Sequence, residues 1–279
     1  MMKFTKMHGA GNDYIYVEDF KNSIVNPSKL SIEMSNRNFG IGSDGLILIL
    51  KSKNADFRMR MFNSDGSESA MCGNGIRCFA KYVYDHKLTD KEEIDIETGG
   101  GIKHLVLKVK DEKVSSVMVD MGEPMLMREM IPMLGEPGMV INENLHLPDG
   151  INFEITALSM GNPHVVIFVE DVKKFPVAKY GPVIENFNLF PQRTNVEFVQ
   201  ILNRKEVIQR TWERGAGETL ACGTGASAVT VAGVLTRQTE RKLTVYLSGG
   251  DLKTEWNEKN NHVFLTGPAV EVFRGEWLL

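Results

Sequence analysis

Arg60-Met-Phe-Asn-Ser-Asp-Gly-Ser-Glu-Ser-Ala-Met-Cys72-Gly-Asn-Gly75 aligns without a gap on Arg210-Thr-Trp-Glu-Arg-Gly-Ala-Gly-Glu-Thr-Leu-Ala-Cys222-Gly-Thr-Gly225, 150 residues further along the chain. Arg60 meets Arg210, Glu68 meets Glu218, Cys72 meets Cys222, and the glycines at 73 and 75 meet those at 223 and 225. The same offset pairs Gly11-Asn12 with Gly161-Asn162, Gly99-Gly100 with Gly249-Gly250, and Lys103 with Lys253. Gly122 and Gly267 match with a shift of a few residues, as a change in hairpin length would produce. The pattern predicts an internal duplication. The expected lobes are residues 1–121, joined by a returning last strand at 269–279, and residues 122–268, with the active site in the cleft between them.

A chain of 279 residues accommodates two domains of ordinary size. Its 42% apolar and 24% charged content is that of a globular protein. With 32 basic against 36 acidic residues, a net charge of −4 and no basic cluster, a nucleic-acid or anionic-membrane surface is not expected. The longest clearly apolar run, Leu46 to Leu50, is far too short to cross a membrane, and Met-Met-Lys-Phe-Thr-Lys-Met-His-Gly at the start lacks a signal-peptide core. Three cysteines make no disulfide framework, which predicts a reducing cytoplasm. His8, His86, His104, His146, His164 and His262 show no metal-ligand spacing, and no metal is expected. Gly40-Ile-Gly42-Ser-Asp-Gly45 has the letters of a dinucleotide fingerprint. A polar, helix-like stretch (28–38) precedes it and a strand follows, the reverse of the strand-then-helix order that a phosphate site needs.

Short runs rich in Val, Ile and aromatics predict strands at 14–17, 46–50, 58–62, 94–97, 105–109 and 117–120. A second set lies at 164–169, 196–201, 207–212, 243–247 and 263–266, with a last strand at 270–273. Each half has one strong helix just after its cysteine, 76–86 and 226–235, apolar enough to lie buried. The expected fold class is α+β: two pseudo-symmetric lobes, each a curved, mainly antiparallel sheet around a central helix. Pro124, Pro132 and Pro137 among glycines predict a linker over 122–138.

A cysteine where a loop hands over to a helix has its thiolate stabilised by unpaired amides and the positive end of the helix dipole. Glycines beside it let backbone amides approach an anion. Two such loops in opposed lobes would place a thiol on each face of a bound carboxylate-bearing carbon. Inverting a stereocentre needs that arrangement: a base takes a proton from one face while an acid delivers one to the other. No pyridoxal lysine site is evident, so the chemistry is expected to need no cofactor. Cys78 has Ala228 as its duplicate and reads as a small core residue. Gly11-Asn12 and Gly161-Asn162 read either as site residues or as turns, and His164 either as an auxiliary group or as a loop histidine.

Met7-His-Gly-Ala-Gly-Asn12-Asp13, Phe62-Asn63-Ser-Asp-Gly-Ser-Glu-Ser-Ala-Met-Cys72-Gly-Asn-Gly-Ile-Arg77-Cys, Gly161-Asn-Pro-His164 and Glu213-Arg214-Gly-Ala-Gly-Glu-Thr-Leu-Ala-Cys222-Gly-Thr-Gly-Ala resemble the diaminopimelate epimerase family. The resemblance runs from residue 2 into the last strand. It implies pyridoxal-independent interconversion of L,L- and meso-diaminopimelate, on the route to lysine and peptidoglycan, by an enzyme that can form a homodimer. It implies Cys72 as proton acceptor and Cys222 as donor in the L,L-to-meso direction. It places Gly73, Asn74, Gly223 and Thr224 at the reacting carboxylate, and Asn12, Asn63, Asn162, Asn195, Glu213 and Arg214 on the substrate's other charged groups. An Arg fork suits a carboxylate, and acidic or amide oxygens suit an ammonium. Some family members have a side-chain amide where this chain has Gly45, the duplicate of Asn195. Proline racemase-like enzymes share the two-thiol plan with different cysteine motifs. A thiol redox protein would need the two sulfurs near 2 Å apart, and a binding protein would not exchange the α-proton.

Overall fold

A computed structural model describes residues 1–278. The chain divides into two compact units, Met1–Asp120 with Thr266–Leu279, and Met121–Leu265. Unit 1 runs β1 (Met2–Gly9), β2 (Asn12–Glu18), α1 (Pro27–Ser35), β3 (Gly45–Leu50), β4 (Phe57–Asn63), β5 (Glu68–Ser69), α2 (Gly73–Asp85), β6 (Glu93–Thr98), β7 (Gly101–Lys110) and β8 (Lys113–Asp120). Unit 2 runs β9 (Val140–His146), β10 (Asn152–Ser159), β11 (Pro163–Phe168), α3 (Val177–Glu185), β12 (Asn195–Asn203), β13 (Glu206–Glu213), β14 (Gly217–Thr219), α4 (Gly223–Leu235), β15 (Lys242–Leu247) and β16 (Gly250–Trp256). After it, β17 (Val263–Gly267) crosses the unit boundary, and β18 (Val270–Trp277) belongs to unit 1.

In unit 1 the strands pair in the order β18-β1-β2-β3-β4-β6-β7-β8, antiparallel except for β2–β3 and β4–β6. Unit 2 repeats the plan as β9-β10-β11-β12-β13-β15-β16, with β11–β12 and β13–β15 parallel. Helix α2 touches β18, β1 and β2 near one end of its sheet and β7 and β8 at the other. A sheet that reaches one helix from both ends must curl around it. Helix α4 is held in the same way by β10, β11 and β12 on one side and β15 and β16 on the other. Both central helices have 13 residues, and α1 and α3, each of nine, lie at the same offset of 150.

Strand β3 shows how the two faces are used. Leu46, Leu48 and Leu50 join Leu30 and Met34 of α1 in one apolar cluster, which leaves Ile47 and Ile49 for the face that holds α2. Both faces are covered, so the strand reads as an unbroken apolar run. Strand β12 repeats this: Val196 and Phe198 join the cluster that includes Ile184 of α3, and Glu197 points to the α4 side. That polar residue on an inner face is the first break in the duplication.

Helix α3 was not expected. Gly181 and Pro182 sit in its middle and depress its intrinsic helix propensity, and burial of Val177 and Ile184 against β12 and β13 overrides that cost. The Pro/Gly-rich stretch 122–138 is ordered, not slack. Met125 bridges Ser159, Met127 bridges Met139, and the buried Arg128 pairs with Glu143 and donates from Nη1 to the Leu134 carbonyl at 3.1 Å.

Candidate active site

Each matched cysteine is the N-cap of its unit's central helix, in extended backbone conformation (φ −135° at Cys72, −122° at Cys222). Each Sγ accepts the amide N–H three residues on, from Gly75 or Gly225, at 3.4 Å. Serine or aspartate more often fills this role. Sulfur here leaves the thiol beside the first-turn N–H groups and the positive end of the dipole.

In unit 1 the half-buried Cys72 donates from Sγ to Asn12 Oδ1 at 3.2 Å, and Asn74 Nδ2 reaches the same oxygen at 3.5 Å. Asn12 follows the β1–β2 turn, where Ala10 (φ 53°) and Gly11 (φ 81°) are left-handed. Gly11-Asn12 is thus a turn, and it carries the Asn12 amide to the Cys72 thiol. Asn12 Nδ2 donates to Asp44 Oδ2 at 2.7 Å, which fixes the amide so that its oxygen faces the thiol. Burial, ahead of the neighbouring Asp13 carboxylate, raises the Asp44 carboxyl above its ordinary range. Asp44 is a residue that the motifs did not single out. Asn63 ends β4 and donates from Nδ2 to Ser67 Oγ at 2.9 Å, with no bond to Cys72 or Asn12 among those described.

In unit 2 the buried Cys222 lies 3.4 Å from Thr224 Oγ1, which accepts from Asn162 Nδ2 at 3.3 Å. Asn162 Oδ1 meets His164 Nε2 at 3.1 Å, and His164 Nδ1 meets Glu197 Oε1 at 2.8 Å. His164 and Glu197 are fully buried, so His164 is no loop histidine. Glu197 Oε2 also accepts Gln209 Nε2 at 2.7 Å and Thr211 Oγ1 at 2.5 Å. Burial first, then the Glu213 and Glu197 carboxylates, push the Cys222 thiol well above its ordinary range; Thr224 and the Gly225 amide oppose the shift. Asn195 is tied by Nδ2 to the Pro163 carbonyl at 2.7 Å and by Oδ1 to the Arg214 amide at 3.0 Å. Arg214 is exposed and donates from Nη1 to the Gln192 carbonyl at 3.0 Å, while Glu213 accepts Thr219 Oγ1 at 2.5 Å.

Motif reading missed Glu197, Gln209 and Thr211. The duplication already carried their signal, because their counterparts are Ile47, Met59 and Met61. A Cβ on Gly45 would lie 2.1 Å from the Phe62 carbonyl oxygen, so a side chain there would require the backbone to shift. Gly45→Ala is expected to part β3 from β4 at that end and to cost about 1–3 kcal/mol of stability, read as a lower urea midpoint. Cys78 is fully buried on α2, and burial pushes its thiol up to about 11, away from any reactive role at neutral pH. Among the described residues no helix is long and apolar enough to cross a membrane.

The fold recurs in proteins of distant sequence. A Bacillus anthracis phenazine biosynthesis protein of the PhzF family superimposes with a TM-score of 0.72 at 16% identity, over 100% of this chain and 99% of that one. A hydroxyproline epimerase from Agrobacterium vitis superimposes with a TM-score of 0.67 at 13% identity, over 98% and 90%. At sequence level the likeness is much closer. The diaminopimelate epimerase of Agathobacter rectalis is 56% identical over 281 residues, 99% of either chain. That of Methanococcus maripaludis (strain C5) is 58% identical over 275 residues, again 99% of each. A family model described as diaminopimelate epimerase matches residues 4–127 and 156–272, which take in both cysteine caps, Asn12, Asn162 and the Glu213-Arg214 pair. With both halves and both caps matched over nearly its whole length, the chain belongs to the diaminopimelate epimerase family.

Proposed function

We propose that this protein is a pyridoxal-independent isomerase that converts L,L-2,6-diaminopimelate to meso-diaminopimelate, the precursor used for lysine and peptidoglycan. The observation that carries the reading is the pair of thiols, each capping the central helix of one of two duplicated units. In the L,L-to-meso direction the Cys72 thiolate takes the α-proton as the Cα–H bond breaks. The Cys222 thiol then gives its proton to the opposite face of the carbanion. Atoms and charge balance within one turnover, with the proton inventory exchanged between the sulfurs and no oxidant or reductant needed. The buried Cys222, held as a thiol by burial and two carboxylates, suits the donor.

The α-proton of an amino acid is a very weak acid, so acid–base work worth about 10²–10⁴-fold cannot carry the reaction alone. Amide donors of Gly73, Asn74, Gly223 and Thr224 at the helix starts would stabilise the charge that develops on the carboxylate. Asn12, Asn63, Asn162, Asn195, Glu213 and Arg214 would hold the remaining ammonium and carboxylate groups, and His164 would act through Asn162. No cofactor or metal enters this scheme. We place the enzyme in the cytoplasm and expect a homodimer, for which the exposed Val270, Val272 and Phe273 on β18 offer an apolar surface.

The deciding experiment is α-proton exchange in D₂O with each diaminopimelate isomer. Deuterium should enter the α-position as the L,L and meso forms interconvert, whereas lysine, alanine and proline should stay essentially unlabelled. Comparable exchange with free proline would move the assignment to the racemases, and no exchange with any substrate would reduce it to binding.

A further inference from the structure

Behind each matched cysteine the duplication breaks down, and it does so in charge. In unit 1 the side chain of Arg77 is fully buried one turn into α2. It donates from Nη1 to the Gly73 carbonyl at 2.9 Å, from Nη2 to Asn74 Oδ1 at 2.8 Å and from Nε to the Pro268 carbonyl at 3.3 Å. All three acceptors are neutral, and no carboxylate among the described residues pairs with it. Its charge therefore stays uncancelled beside the first turn that Cys72 caps. The matching residue in unit 2 is Ser227, whose hydroxyl donates to the Gly223 carbonyl at 3.0 Å.

In unit 2 the sign is reversed. A Cβ on Gly225 would lie 2.5 Å from Glu197 Oε1, so the carboxylate rests against the first turn that Cys222 caps. A Cβ on the matching Gly75 would instead meet Ile47 Cδ1 at 2.8 Å. The side-chain amide of Gln209 and the hydroxyl of Thr211 both donate to Glu197 Oε2, and His164 Nδ1 lies 2.8 Å from Oε1, so Glu197 is the shared centre of a buried polar cluster. The strand registers are the same in the two units: Ile47 opposes Met61 as Glu197 opposes Thr211. The polar cluster is thus a substitution within a shared frame, not a local rearrangement.

We infer that the buried guanidinium of Arg77 and the buried carboxylate of Glu197 are positioning residues that make the twin sites unequal, favouring thiolate at Cys72 and thiol at Cys222 in the resting enzyme. A buried charge beside a thiol is weakly screened and shifts the balance between its two forms. Titratable groups near Cys72 include Tyr14 and Tyr16 of β2, Cys78 of α2, and Asp44 through Asn12. Around Cys222 they are Glu213 of β13 and, through Asn162 and Thr224, His164 of β11. Burial works against the Arg77 charge, and the neighbouring Cys78 and Cys72 sulfurs work in its favour. The assignment of roles rests on the function proposed above; the inequality of the thiols does not.

Alkylation of the full-length protein by iodoacetamide, followed for each cysteine by mass spectrometry across about pH 5 to 10, reads each thiolate without substrate. Cys72 should label at lower pH than Cys222, with a rate at neutral pH at least about tenfold higher. Arg77→Gln should move the Cys72 midpoint up by about one pH unit and leave Cys222 in place. Arg77→Lys, which keeps the charge, should largely restore it. Glu197→Gln, of the same shape, should move the Cys222 midpoint down by a similar amount and leave Cys72 alone. Should Arg77→Gln fail to fold by circular dichroism, the Glu197→Gln curve decides by itself. Coincident wild-type curves, or a Cys222 curve unmoved by Glu197→Gln, would overturn the inference. Wild-type protein that exchanges diaminopimelate α-protons with two equal thiols condemns this inference alone; unequal thiols without exchange condemn the proposed activity alone.

Discussion

Cys72→Ala and Cys222→Ala should each lower epimerisation of diaminopimelate by at least about 10²–10⁴-fold, because each face of the α-carbon needs its own proton carrier. Cysteine-to-serine variants keep a weaker acid or base and should retain single-face reactions, such as elimination from an analogue with a leaving group at the β-carbon. Cys78→Ala is the control. It removes a fully buried sulfur from α2, and its cost should appear in the urea midpoint with kcat nearly intact. Steady-state kinetics on the three alanine variants separate these outcomes, and near-normal turnover by either capping-cysteine variant would refute the two-thiol scheme.

Glu197→Ala should be among the most destabilising single changes in unit 2, at about 3–5 kcal/mol. It removes the carboxyl group at the centre of a fully buried polar cluster and leaves His164, Gln209 and Thr211 without their partner. The duplication supplies a matched rescue. Unit 1 fills the same positions with Ile47, Tyr14, Met59 and Met61, all buried. A chain carrying Glu197→Ile, His164→Tyr, Gln209→Met and Thr211→Met together should therefore recover most of the loss, because replacing all partners of a buried polar cluster by well-packed residues of similar shape commonly costs little. It should remain catalytically poor. Urea unfolding of the single and fourfold variants tests this; a fourfold variant no more stable than Glu197→Ala would mean the two frames are not interchangeable.

The sequence was most informative where one residue type has one use. The Cys-Gly-x-Gly blocks showed the duplication, and apolar runs such as 46–50 placed the inner strands. Strands β1, β9, β10 and β16 were harder to see. In β16 only Leu252, Thr254 and Trp256 turn inward between Asp251, Lys253 and Glu255, so two apolar residues carry the whole signal. Helix α3 was hidden by Gly181-Pro182 for the propensity reason given above. At the site, thiols and amide side chains stood out as chemistry, whereas Arg77, Asp44 and Glu197 act by lying behind them. Arg77 was quoted within a motif, yet only burial shows that its charge is unshared. Glu197 could have been noticed by asking why an acid stands between Val196 and Phe198 where the other half has isoleucine.

Strand β18 completes the sheet of unit 1 by pairing with β1 from Met2↔Trp277 to His8↔Val270, the place that β9 takes beside β10. In the order of synthesis, all of unit 2 lies between those partners. A growing chain thus exposes everything unit 2 needs by residue 265, while the earlier unit still lacks its outermost strand of eight residues. The half made first is finished last. Until then β1 offers an open edge to any neighbouring chain, so a ribosome halted between residues 265 and 270 would release a polypeptide with one finished unit and one adhesive one.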